Sequence, residues 1–409
     1  MTTQPLYDLA PIAWLLGVGV LLALGPLFWV WRRHAGAGAT RRLHALTVLT
    51  LFLTFDLTMF GAFTRLTDSG LGCPDWPGCY GNASPHGARH DIAMAQAAQP
   101  SGPVTHGKAW IEMVHRYLAT TVGFLIVVLA VATWVVRRRQ RRLPAPSGAE
   151  PDAAPARQRA LSTWWPLATL VWVCLQGAFG ALTVTWRLYP AIVTLHLLGA
   201  VVLLALLCIQ AVRYSQAGEV RLPVAVAPAL RGLMLWTAAA LLLQIALGGW
   251  VSTNYAVLAC SQFPTCQNSW WPDMNFAQGF EIWRELGSTA AGVPIEFAAL
   301  TAIHYVHRLA AYVVFASLLL LAWRLRRVPA LRGQARWLAG LALLQLATGL
   351  GNVLLGWPLL AAVLHTGGAA ALAVALVWTL CESRRQPRTA ALPSAASSSY
   401  VSPPEALRS

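Results

Sequence analysis

The sequence predicts an all-α polytopic membrane protein: two four-helix bundles arranged as a parallel repeat, preceded by one extra N-terminal transmembrane helix. Three observations carry this expectation. Hydrophobic residues make up 57% of the 409 and charged residues only 11%, with 19 Trp, which is too apolar for a soluble domain. Nine apolar runs are each long enough, at about 20 residues, to cross a bilayer as a helix. Finally, Cys and His residues recur in the same order in the two halves of the chain.

In order, the runs lie near residues 12 to 31, 44 to 65, 109 to 136, 162 to 183, 190 to 212, 231 to 252, 296 to 323, 336 to 356 and 359 to 380. The first has no basic stretch before it and is followed by Arg32 and Arg33, so it reads as a retained helix and not as a cleaved signal sequence. The second contains Asp56, to which the sequence assigns no role. Arg distribution sets the expected orientation, because Lys and Arg collect in cytoplasmic loops. Arg41 and Arg42 also follow the first run, Arg137, Arg138, Arg139, Arg141 and Arg142 the third, and Arg213, Arg221 and Arg231 the fifth. Arg324, Arg326, Arg327, Arg332 and Arg336 follow the seventh, and Arg384 and Arg385 the ninth. The opposite loops, including 66 to 108 and 253 to 295, are poor in basic residues. The N-terminus is therefore expected outside and the C-terminus in the cytoplasm.

The formal net charge of +15, from 30 Lys and Arg against 15 Asp and Glu, would raise nucleic-acid binding in a soluble chain. Here the Arg residues cluster between apolar runs and read as topology signals, with membrane lipid as the surrounding partner, and no nucleic-acid motif competes. The chain is expected to divide into four parts. Residues 1–43 hold the extra helix and its basic loop, 44–213 and 214–383 the two four-helix units, and 384–409 a Pro-, Ser- and Ala-rich cytoplasmic tail without stable structure. Within the first unit, residues 143 to 160 are rich in Pro and Ala and are expected to form a cytoplasmic linker.

The repeat is specific. Gly61, Cys73 and Cys79 recur at one constant offset as Gly248, Cys260 and Cys266. His115-Arg116 recurs as His307-Arg308, and Gln176, Gly180 and His196 recur, again at a constant offset among themselves, as Gln345, Gly349 and His365. Order is kept and spacing changes only across loops, so spans two to five and six to nine form two units. Both begin from the same side, which makes the repeat parallel.

Each unit thus carries one His on its second helix and one on its fourth. His196, His307 and His365 all stand at the same separation from the first charged residue at the cytoplasmic end of their helix, Arg213, Arg324 and Glu382 respectively. At the rise of an α-helix that separation is about 25 Å, which places the three in the outer part of the membrane. His115 lies somewhat further from Arg137, in a longer helix, and belongs in the same outer third. Ionisable groups inside a membrane are costly and mark function. Two imidazoles projecting inward from facing helices of a bundle suit axial ligation of haem iron. Zinc is the alternative, with His304-x-x-His307 as its only local hint. Arg116 and Arg308, beside a ligand in each unit, could pair with haem propionates, or simply extend toward the interface.

Cys73-Pro-Asp-Trp-Pro-Gly-Cys79 and Cys260-Ser-Gln-Phe-Pro-Thr-Cys266 each close a short loop on the outer side. An oxidising compartment favours a disulfide within each loop; metal binding is the alternative. Trp76, Trp270 and Trp271 suit caps at the interface over the two sites. Cys174, Cys208 and Cys381 read as inert small residues in or at the ends of helices.

These residues resemble the haem A synthase family of bacterial and mitochondrial membranes. The motifs that carry the resemblance are Gly61-Ala-Phe-Thr-Arg-Leu-Thr-Asp-Ser-Gly-Leu71, then Cys73-Pro-Asp-Trp-Pro, Glu112-x-x-His115-Arg116, Leu195-His196-Leu197, His307-Arg308 and Leu364-His365-Thr-Gly-Gly368. The resemblance covers about 44 to 382. The resemblance implies a bacterial plasma-membrane enzyme that oxidises the C8 methyl of haem O to a formyl group, making haem A for terminal oxidases. It implies that His115 and His196 flank the substrate haem, that Glu112 assists there as a catalytic acid or base, and that His307 and His365 bind a haem b. It also implies an electron donor or acceptor, and contacts with haem O synthase and oxidase assembly factors. Two departures stand out. The family pattern has eight helices, so the first span is additional, and His304 occupies the place of Glu112 in the second unit. Only the N-terminal site has a carboxylate beside its ligand, which agrees with different jobs for the two halves. Two other functions fit the same residues: a quinol-linked di-haem b electron-transfer protein, and a haem carrier or oxidase assembly factor.

Overall fold

The computed structural model describes residues 9–142, 161–219 and 222–385. The linker at 143 to 160, all but the first two residues of the tail and the first eight residues lie outside the described residues. Among the described residues nine helices are long and apolar enough to cross a membrane, as the apolar runs predict. They are α1 (Ala10–Arg33), α2 (Ala39–Leu66), α4 (His106–Arg142), α5 (Trp164–Thr185), α6 (Pro190–Glu219), α7 (Pro228–Thr253), α9 (Phe297–Leu325), α10 (Arg332–Leu354) and α11 (Leu359–Cys381). Two short helices, α3 (Arg89–Ala98) and α8 (Phe276–Gly279), lie in the long loops. Helix α4 runs well past its apolar run because Arg139, Arg141 and Arg142 form its last turn, where basic side chains oppose the helix dipole favourably.

The eight helices from α2 onward pack as two rings of four. In one, α2, α4, α5 and α6 each touch the next and α6 closes on α2; in the other, α7, α9, α10 and α11 do the same. The rings meet where α11 lies against α2 and α6, and where α6 lies against α7. At that junction Arg65 donates to the Ser252 carbonyl at 2.7 Å and the Tyr255 hydroxyl donates to Asp68 at 2.6 Å, and both pairs are 187 residues apart. That separation is the offset of the repeat itself, the same as between Gly61 and Gly248. Residues related by a two-fold axis touch each other only beside the axis, so the axis of the parallel repeat passes here. Burial raises the pKa of the Tyr255 phenol above its ordinary value, which keeps its proton in place for Asp68.

The buried threonines of α2 satisfy their hydroxyls locally, by bonding back to the helix's own backbone. Thr47, Thr50, Thr54 and Thr58 form a buried stripe on α2, and each hydroxyl donates to the carbonyl four residues back at 2.7–2.8 Å. Gln210 of α6 reaches Thr47 from across the ring at 3.4 Å. Asp56 lies on the opposite, exposed stripe of α2 with Val48 and Phe52.

The additional helix α1 packs on α4, outside the first ring. The crossing point is Gly19, where a β-carbon would stand 2.8 Å from Thr120, a close approach that small residues permit. At the opposite end from the loops, strand β1 (Val224–Val226) pairs in parallel with β2 (Ser383–Arg385). It ties the start of α7 to the end of α11. The α10–α11 turn is tight because Gly356 takes φ +66°, a left-handed conformation that costs glycine nothing.

Candidate functional site

All four histidines lie toward the start of their helices, at the end of the bundle that carries the disulfide loops. Each faces a glycine on the neighbouring helix of its own ring. A β-carbon at Gly61 would stand 3.0 Å from His115 Nε2, one at Gly180 3.5 Å from His196 Cε1, one at Gly248 3.0 Å from His307 Cε1, and one at Gly349 3.2 Å from His365 Cε1. The glycines visible in the sequence as repeat markers are thus the walls behind the rings. Sequence reasoning found them and missed that role.

The four rings form two pairs. His307 and His365 line one cavity of about 340 Å³, with His304, Arg308 and Gln244 from the same ring and Arg65 from α2. His115 on α4 and His196 on α6 stand on helices across the first ring from each other, and Phe60 stacks on the His115 ring at 6.3 Å between centroids. The pairs differ in what holds them. In the C-terminal pair, Thr348 Oγ1 lies 2.9 Å from His365 Nδ1, Gln345 donates to the His365 carbonyl at 2.8 Å, and the Gln244 amide lies 3.0 Å from both the Nδ1 and the carbonyl of His307. In the N-terminal pair the repeat places Leu57 where Gln244 stands and Phe179 where Thr348 stands. His196 Nδ1 is buried without a hydrogen-bond partner. Neither Gln244 nor Thr348 stood out in the sequence, because neither recurs.

Above each pair sits a loop closed by a disulfide, Cys73–Cys79 and Cys260–Cys266, and both pairs of Cα atoms are 4.9 Å apart. Trp76–Pro77 and Phe263–Pro264, at matching places in the two loops, are both cis. The arginine after each histidine grips its loop. Arg116 donates to the carbonyls of Pro77 and Gly78, and Arg308 to those of Thr265 and Cys260. Glu112, 4% exposed, completes the first clamp: one oxygen accepts from Arg116 at 2.5 Å and the other from the Cys73 amide at 2.8 Å. Its counterpart His304 bonds through Nδ1 to the Ala256 carbonyl at 3.1 Å instead. Cys174 is exposed, Cys208 buried and Cys381 between the two, and all three are free thiols.

The donor set fits haem. Each site offers two imidazoles on facing helices, backed by glycines that leave the rings room to turn, and the orphaned His196 Nδ1 marks a ring whose orientation the protein alone does not settle. Among the described residues no three His, Cys, Asp or Glu side chains come together as a metal-ion cage, which is what zinc in a protein site ordinarily requires.

The chain is similar to known proteins. Residues 44–377 match the family model COX15-CtaA, described as cytochrome oxidase assembly protein. The Heme A synthase of Shewanella oneidensis is 36% identical over 329 residues, covering 80% of this chain and 93% of its own length. The Heme A synthase of Methylobacterium radiotolerans is 29% identical over 358 residues, 81% of this chain and 88% of its own. That of Halalkalibacterium halodurans is 26% identical over 349 residues, 83% and 95% respectively.

Proposed function

The chain belongs to the cytochrome oxidase assembly protein family, COX15-CtaA, and on that premise we propose that it is a haem A synthase that oxidises the C8 methyl of haem O to a formyl group. Haem O is held between His115 and His196 as the substrate, and haem b between His307 and His365 as the resident cofactor. The observation that carries the division is the difference in support. The C-terminal histidines are fixed by Thr348, Gln345 and Gln244, as suits a group that stays, whereas the N-terminal pair has no side chain at the places of Thr348 and Gln244 able to hold a ring nitrogen.

Oxidation of an unactivated methyl needs the strong oxidising chemistry that haem iron supplies. The chain's own residues position, exclude water and handle protons. The disulfide loops cap both pairs, and the Arg116 and Arg308 clamps keep those caps in place. Arg308 also lines the cavity, where its charge suits a haem propionate, whereas Arg116 is paired with Glu112 in the first clamp. Glu112, one turn from His115 on the same side of α4, is in this reading the carboxylate that accepts or relays protons for the substrate, from within the clamp in which Arg116 and the Cys73 amide hold it. The arginine-rich end faces the cytoplasm and the disulfide loops face the oxidising side of a bacterial plasma membrane. A separate electron donor or acceptor serves as the redox partner.

The test is pigment analysis. Protein purified from cells supplied with haem O should carry haem b together with haem O or haem A, and should yield haem A during turnover. A protein that carries two haems b and forms no haem A is an electron-transfer cytochrome, and one that binds haem O without converting it is a carrier.

A further inference from the structure

We propose that Thr348 is a positioning residue for a haem ligand: its hydroxyl accepts the Nδ1 proton of His365, fixes that tautomer and presents Nε2 to the cavity. The assignment follows from counting protons. Thr348 Oγ1 lies 2.8 Å from the Leu344 carbonyl and 2.9 Å from His365 Nδ1. A hydroxyl carries one proton and a carbonyl only accepts, so that proton goes to Leu344 and the lone pairs remain for the ring. Nδ1 must then be the protonated nitrogen. The bare nitrogen is Nε2, the form in which a neutral imidazole binds a metal.

Three residues of α10 therefore act on one histidine. Gln345 holds the His365 carbonyl, Gly349 leaves space behind the ring, and Thr348 sets the tautomer. Two of the three recur at the N-terminal site as Gln176 and Gly180. The third does not: Phe179 stands in its place, and His196 Nδ1 has no partner. A ligand whose outer N–H is engaged is a better donor to ferric iron and lowers the reduction potential of its haem. A ligand without that partner holds iron less firmly, which suits a substrate that must leave as product. This inference rests on the reading of His307 and His365 as haem b ligands.

The experiment uses the full-length, haem-loaded protein. Thr348→Val keeps the shape and removes the acceptor; Thr348→Ser keeps the acceptor. The midpoint potential of haem b is measured by spectroelectrochemical titration, with electron paramagnetic resonance of the ferric form to report ligand character. Thr348→Val should shift the potential in the positive direction, and Thr348→Ser should restore the wild-type value. The proposal is overturned if Thr348→Val holds a six-coordinate haem b at the wild-type potential. It is equally overturned if Thr348→Ser loses the haem as completely as Thr348→Val, because serine retains the hydroxyl. A His365→Ala protein run alongside keeps the two failures apart: an unchanged haem b spectrum there removes the ligand assignment itself.

Discussion

The His307 ring packs so closely on Gly248 that a β-carbon there would stand 3.0 Å from Cε1, and His115 stands in the same relation to Gly61, at 3.0 Å from Nε2. Glycine at these two places on α7 and α2 gives each ring the room to direct a nitrogen inward. A valine would put branched methyls into that room, and close-packed interiors do not absorb such volume without displacement. Gly248→Val should lose the haem b spectrum while the protein still inserts. Gly61→Val should keep haem b and lose haem A formation. An unchanged six-coordinate haem b in Gly248→Val would show that the glycine is only a packing residue.

Replacing either ligand of the C-terminal pair tests the cofactor site directly. His307→Ala and His365→Ala should each remove the six-coordinate haem b signal in difference spectra of purified protein. His115→Ala and His196→Ala should retain that signal and accumulate haem O in the cells. Haem b lost from His115→Ala but kept in His307→Ala reverses the two halves.

The arginine clamps predict unequal stability losses. Arg116→Leu frees the first loop and leaves Glu112 buried without its countercharge, a defect that typically costs about 3–5 kcal/mol. Arg308 bonds only to carbonyls, so Arg308→Leu should cost less, about 1–3 kcal/mol. Thermal denaturation of both purified variants in one detergent gives the comparison. Equal losses would mean that the Glu112–Arg116 pair adds nothing to the clamp.

Glu112→Gln keeps the size of the side chain and an acceptor for the Cys73 amide, but removes charge and basicity. It should still bind both haems, while haem A yield falls by roughly 100-fold, the ordinary worth of a positioned acid or base. Haem O or a partly oxidised alcohol should accumulate, as read by haem extraction and chromatography. Wild-type yield in this variant would leave Glu112 as a holder of the loop and nothing more.

Topology is independent of the chemistry. A reporter fused at the N-terminus should read as outside the cytoplasm and one placed after Arg142 as inside, and thiol labelling should find Cys73, Cys79, Cys260 and Cys266 oxidised. The opposite reporter pattern would put the four cysteines in a reducing compartment.

What the sequence determined by itself was everything local or duplicated. Nine apolar runs specify nine helices because a bilayer demands that every backbone polar group be satisfied within the segment. The histidines, glycines and cysteines were legible as pairs because their spacing is kept across the repeat: Gly61 with Gly248, His196 with His365. The contacts between helices were not legible. A membrane helix is apolar on nearly all sides, so its pattern does not say which face meets a neighbour. Only the tertiary structure set Gly61 behind His115, Arg116 on the carbonyls of Pro77 and Gly78, and α1 against α4 at Gly19. It also decided the asymmetry between the sites. Thr348 and Phe179 read in sequence as two ordinary residues of a hydrophobic span, and the difference becomes chemical only once α10 lies beside α11, within hydrogen-bonding distance of His365.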